Sequence, residues 1–144
     1  MRKLTLTILL ALLFAFGLTA CGGGGDEAAD SGGDSGAVGD AANGERLFNE
    51  SIIGAASAPG CITCHSLEPG VVVVGPSQSD VGARAETEGA ALGISAEEFL
   101  RQSIVEPNAQ ITDGFTADVM YQNFGEELTN TQINDLVAFM LTLK

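Results

Sequence analysis

Two thiols and an imidazole stand together in Cys61-Ile62-Thr63-Cys64-His65. Cys-x-x-Cys-His is the spacing at which a chain takes covalent hold of a haem. Thiols three positions apart can add to the two vinyl groups along one porphyrin edge, and the next residue then brings a neutral imidazole nitrogen to the iron. The same two cysteines could instead form half of a zinc site or a thioredoxin-like dithiol. A structural zinc site needs four Cys/His ligands, whereas the chain has three cysteines and one histidine in all. A dithiol pair belongs beside a βαβ pattern, and the residues around this one read as helical. Covalent attachment of one haem c through Cys61 and Cys64, with His65 on the iron, is the chemistry that the spacing favours.

An iron held by His65 on one side needs a ligand on the other. His65 is the only histidine, so a second imidazole is excluded. Met1 belongs to a leader segment, which leaves Met120 and Met140. Met140 falls on the apolar stripe of the C-terminal helical pattern, where a methionine is usually packing. Met120 lies in a long loop after Gly114-Phe115 and is the candidate axial thioether. Such a ligand stabilises ferrous iron more than an anionic one would and raises the potential. With both axial positions filled, no open site remains for a substrate. The rival class, a peroxidase or gas sensor with a labile sixth ligand, would need distal acid or base residues, and the only histidine is already committed. The pattern predicts an electron carrier, not an enzyme.

Three helices are legible around these residues. The first spans about Ala41 to Ile53, with Asp40 as N-cap and Leu47 and Phe48 on its apolar side. The second opens on the capping box Ser95-Ala96-Glu97-Glu98, carries Phe99, Leu100, Ile104 and Val105, and stops before Pro107. The third opens on Thr129-Asn130-Thr131-Gln132 and sets Ile133, Leu136, Val137, Met140 and Leu143 at helical spacing to the end of the chain. A short helical turn is expected around the attachment segment. Residues 66–94 and 106–128 read as Gly/Pro-marked loops, and Val71–Val74 as a loop lining an apolar pocket. The expected fold is all-α.

Of the 144 residues, the N-terminal part reads differently. Met1-Arg2-Lys3 and the apolar run to Ala20 form a signal peptide, residues 1–20, too short for an ordinary spanning helix. It ends in Leu18-Thr19-Ala20-Cys21, which resembles a bacterial lipobox. That resemblance implies cleavage before Cys21 and lipidation of its sulfur, the alternative being an uncleaved anchor; either tethers the chain to the outer face of a membrane. Residues 22–40 are Gly, Ser, Asp and Ala with almost no large apolar side chain, the composition of a flexible linker. Its span is roughly 25 Å for a Gly/Ser-type chain of that length. The folded domain is then 41–144, and all three cysteines are assigned, leaving no disulfide. Six basic residues less Arg2 and Lys3 leave four against 19 acidic, a net −15 after cleavage. This balance argues against nucleic acid and favours partners with basic patches, or is simply a solvated surface.

Over essentially all of residues 40–144 the chain resembles class I monohaem cytochrome c. The likeness rests on Gly44 and Phe48, Cys61-x-x-Cys64-His65, Gly75-Pro76, the run Ser103 to Ala109, Met120, and Leu136-Val137-Ala138-Phe139. It implies helices and loops wrapped around one haem, with Gly44 and Phe48 crossed closely by Phe139. It also implies that the Pro76 carbonyl holds the other nitrogen of His65, fixing its tautomer. Members often carry proline after the ligand methionine, where this chain has Tyr121, so the stiffness of that loop needs another source. Arg84 is a candidate partner for a haem propionate, since guanidinium suits carboxylate, or else a surface arginine. The function so implied is one-electron transfer by a membrane-tethered shuttle on the extracytoplasmic face of a bacterial cell membrane. Its redox partners would be an oxidoreductase, a terminal oxidase or a reaction centre. The alternative is a fixed subunit of a larger respiratory complex. A long tether serves motion better than fixation.

Overall fold

The computed structural model describes residues 39–144. The signal peptide, Cys21 and the linker as far as residue 38 lie outside the described residues. The order of elements is α1 (Ala41–Asn49), β1 (Ile52–Ile53), β2 (Ala58–Pro59), a 3₁₀ turn (Cys61–Thr63), α2 (Val81–Leu92), α3 (Ala96–Val105), α4 (Phe124–Glu127) and α5 (Asn130–Thr142). The only sheet among the described residues is the two-residue antiparallel pair β1–β2, with Ile52 opposite Pro59. The fold is all-α.

The helix starts follow local chemistry. Asp40 accepts hydrogen bonds from the N–H groups of Ala42 and Asn43 at 2.9 and 3.2 Å, and Ser95 Oγ accepts from Glu98 N at 3.1 Å. At Thr129 both halves of the capping box form, with Gln132 returning its side chain to the Thr129 N–H. Each such cap is worth about 1 kcal/mol.

Among the described residues five helices are present where three were legible, and α1 ends four residues before Ile53. Ile52 and Ile53 turn into the hairpin instead. The largest addition is α2. Its buried residues are Val81, Gly82, Ala85 and Gly89, so its inward face is built from small side chains that give little hydrophobic signal. Ala85 is nonetheless 0 % exposed. Gly93, in the left-handed region at φ 77°, stops the helix. The N–H groups of Gly82 and Ala83 donate to the Leu143 carbonyl at 2.9 and 3.3 Å, so the start of α2 satisfies an acceptor left open at the end of α5. Val71–Val73 are exposed, and only Val74 of that run reaches the central cavity.

The crossing of α1 over α5 organises the core. A Cβ on Gly44 would lie 1.9 Å from the Asp135 carbonyl oxygen and 2.8 Å from Phe139 Cβ. Only glycine allows this approach. Beside it the rings of Phe48 and Phe139 meet at 5.7 Å and 60°, a tilted pairing worth about 0.5–1.5 kcal/mol beyond its buried area. Asp135, only 7 % exposed, accepts a hydrogen bond from Asp40 N at 2.7 Å. Its charge therefore sits at the positive end of α1. Leu100 and Leu136 fill the space behind, and α3 is tied to α5 by Arg101 Nη2 donating to Asn134 Oδ1.

Gly44→Ala is expected to destabilise the folded domain by about 1–3 kcal/mol, the usual cost of overpacking. Alanine at the exposed Glu45 should stay within about 0.5 kcal/mol. Denaturant unfolding of the two variants checks the difference.

Candidate functional site

The 3₁₀ turn carries the attachment motif. The N–H groups of Cys64 and His65 donate to the Cys61 carbonyl at 3.1 and 2.9 Å. Thr63 closes the turn from below, its hydroxyl donating to the Gly60 carbonyl at 2.6 Å. The chain returns after a loop, and the N–H groups of Val74 and Gly75 both donate to the Cys64 carbonyl, at 3.0 and 2.9 Å. A Cβ on Gly75 would stand 2.4 Å from His65 Cε1. Glycine here leaves the imidazole its seat.

His65 Nδ1 lies 2.8 Å from the Pro76 carbonyl oxygen. A carbonyl can only accept, so the ring proton is on Nδ1 and Nε2 keeps its lone pair. Burial pushes the imidazole below its ordinary pKa; the bond to Pro76 opposes this and the Arg84 charge adds to it. The ring is therefore neutral near pH 7, the form that binds a metal.

Cys61, Cys64, His65, Pro76, Arg84 and Met120 all line one cavity of about 470 Å³. Apolar side chains from every helix, among them Phe48, Val81, Leu100, Phe124 and Leu136, complete its walls. The volume falls within the roughly 300–1,000 Å³ of ligand and cofactor pockets. Both cysteines stand at its edge, and neither is in a disulfide. Among the described residues no group of three His, Cys, Asp or Glu side chains is placed to hold a bare ion. Burial pushes the Cys61 thiol up to about 11, whereas a reactive dithiol needs a lowered value. An apolar chamber with two thiols and one imidazole at its mouth fits a large flat cofactor bound by its edge.

Residues 41–144 match the model of the cytochrome c family. The chain belongs to that family. No curated protein matches the chain. Cytochrome c domains bind haem c covalently and transfer electrons through it, and the spacing of Cys61, Cys64 and His65 is that of the haem-binding motif. The all-α arrangement of this chain is that of a class I cytochrome c.

Three residues of this cytochrome c domain escaped sequence reasoning as positioning groups. Asn108 spans the base of the Met120 loop. Its Nδ2 donates to Asp118 Oδ1 and Gln122 Oε1 at 2.7 and 2.9 Å, and its Oδ1 accepts from Asp118 N at 2.9 Å. Asn108 was noted only within a run of resembling residues. Glu127 accepts from Tyr121 Oη at 3.1 Å and from Ala56 N at 2.6 Å. Tyr121 also meets the Phe124 ring edge-on at 5.1 Å. The tyrosine standing where proline is common thus ties the loop to α4 and, through Glu127, to the hairpin. The third is Gln78, whose buried amide touches His65 Nδ1 and the Pro76 carbonyl. Arg84 sits in the cavity wall with Nε donating to Asp80 Oδ1 at 3.0 Å and Nη2 to the Ser77 carbonyl at 2.9 Å. It therefore braces the segment that presents Pro76 and Gln78.

Asn108→Ala should speed amide hydrogen exchange at residues 118–122 by about fivefold for each hydrogen bond lost, from about 1 kcal/mol apiece. Amides of α5 should be unaffected.

Proposed function

We propose that this domain is a one-electron carrier in which His65 Nε2 and Met120 would supply the ligands to a haem iron. The observation that carries the reading is that both side chains and both thiols line the same cavity. A haem bound there would supply one-electron redox chemistry between a reduced donor and an oxidised acceptor. The chain supplies the rest. His65 is kept neutral and oriented by Pro76, and Met120 is presented by a loop clamped at Asn108 and Glu127. The apolar walls exclude water, so little reorganises as the charge changes. Arg84, on the cavity wall and held in place by its ties to Asp80 and Ser77, would be the residue to meet a haem propionate.

The domain works as a tethered shuttle on the extracytoplasmic face of a bacterial membrane. Support comes from the signal-like start, Cys21 in a lipobox-like setting and the Gly/Ser/Asp linker. No helix among the described residues is long and apolar enough to cross a membrane, so an anchor would lie in the preceding segment. Partners are redox proteins of the membrane, with basic docking surfaces complementary to the acidic domain.

The ferric protein should show the weak long-wavelength Fe–S charge-transfer band of methionine ligation. Met120→Ala should abolish it and lower the potential by on the order of 0.1 V or more, a fraction of the roughly 0.8 V that axial ligands span. Met140→Leu should do neither. A band that survives in Met120→Ala and disappears in Met140→Leu would sink the assignment. For the tether, Cys21→Ser should move the protein from the membrane fraction to the soluble one, with an unchanged haem spectrum.

A further inference from the structure

Gln78 is only 7 % exposed, and its amide is satisfied at one end alone. Nε2 lies 3.2 Å from the Pro76 carbonyl oxygen and 3.0 Å from His65 Nδ1. Oε1 is fully buried and has no partner among the described residues. A buried amide with one orphaned atom is less favourable than an apolar side chain of the same shape. Stability therefore does not explain a glutamine here. Its contacts do: the Pro76 oxygen receives two donors, the His65 Nδ1–H and the Gln78 Nε2–H.

We propose that Gln78 is a positioning residue that tunes the haem potential through the His65–Pro76 hydrogen bond. A carbonyl shared between two donors accepts less strongly from each. In addition, the partly positive amide NH₂ stands 3.0 Å from another N–H. Both effects weaken the pull on the His65 proton, leaving the imidazole less anionic and a poorer donor to iron. Partners of this kind set the basicity of a metal-bound histidine. A less basic histidine favours the ferrous state, so Gln78 raises the potential. The segment that carries it is fixed independently, by Gln78 N donating to the Ser66 carbonyl at 2.8 Å and by Arg84 holding Ser77 and Asp80.

The inference rests on His65 being an iron ligand, and its test separates the two claims. Gln78→Leu keeps the bulk and removes the amide; Gln78→Glu puts an acceptor against Nδ1–H. Spectroelectrochemical titration of the haem-loaded proteins should give potentials in the order Gln78, then Gln78→Leu, then Gln78→Glu, highest first. The unfolding midpoint of Gln78→Leu should equal or exceed that of the parent. In the ferrous, diamagnetic state the His65 Nδ1–H resonance should move downfield in both variants as its hydrogen bond strengthens. An unchanged or raised potential in Gln78→Leu overturns the proposal. A rise would mean that Oε1, not Nε2, faces the ring. Should either variant fail to load haem, the parent can be compared with Gln78→Met on the same resonance, with the same sign expected. If the ferrous parent shows no histidine protons displaced by the haem ring current, ligation by His65 fails instead.

Discussion

The contact between α1 and α5 is the constraint on which everything else is hung. Gly44 lets the two backbones touch, the Phe48–Phe139 pair fills the flank, and Asp135 holds the Asp40 N–H at the start of α1. Once α5 is fixed in this way, its last carbonyl receives the N–H groups of Gly82 and Ala83 and sets where α2 begins. The segment before α2 carries Pro76 and Gln78, and the segment after α1 carries the two thiols. The placement of His65 between them is thus a consequence of helix packing whose Phe48 and Leu136 also line the cavity.

What the sequence could reveal depended on how each element is stabilised. α1, α3 and α5 owe their stability to large side chains at helical spacing and to caps at Asp40, Ser95 and Thr129, all features of single residues and short intervals. α2 buries alanine and glycine against its neighbours, so the energy lies in close approach and not in side-chain hydrophobicity. No periodicity announces it. α4 is one turn long, held by Phe124 in the core. Ile52 and Ile53 continue the apolar pattern of α1 but pair across to Ala58 and Pro59, a choice made by a turn that pattern alone does not encode. The valine run at 71–74 misled for the opposite reason: its hydrophobicity is largely spent on solvent.

The site divides along the same line. Cys61, Cys64 and His65 are legible because covalent chemistry demands a fixed spacing. Met120, the proposed ligand, is reached by elimination, since the chain has so few sulfur and imidazole side chains, and it lines the same cavity as His65. Asn108, Glu127 and Gln78 are ordinary polar residues whose importance lies in what they touch across 10, 71 and 13 positions of sequence. Such contacts leave no mark on composition or spacing. The replacement of proline by Tyr121 was visible as a departure, and its compensation, the latch to Glu127, was not.

The hydrogen bond between Asp40 and Asp135 joins residues 95 positions apart, so the domain is closed by its two ends. Long-range closure of this kind is slow because loop entropy must be overcome before any contact rewards it. It also imposes an order of events during synthesis: the core cannot shut until the last helix exists. Closure is also what buries Cys61. Afterwards burial holds it at about 11, too high to furnish a ready thiolate near neutrality. The same closure that joins the two ends thus also changes the surroundings of a thiol far from either of them in sequence.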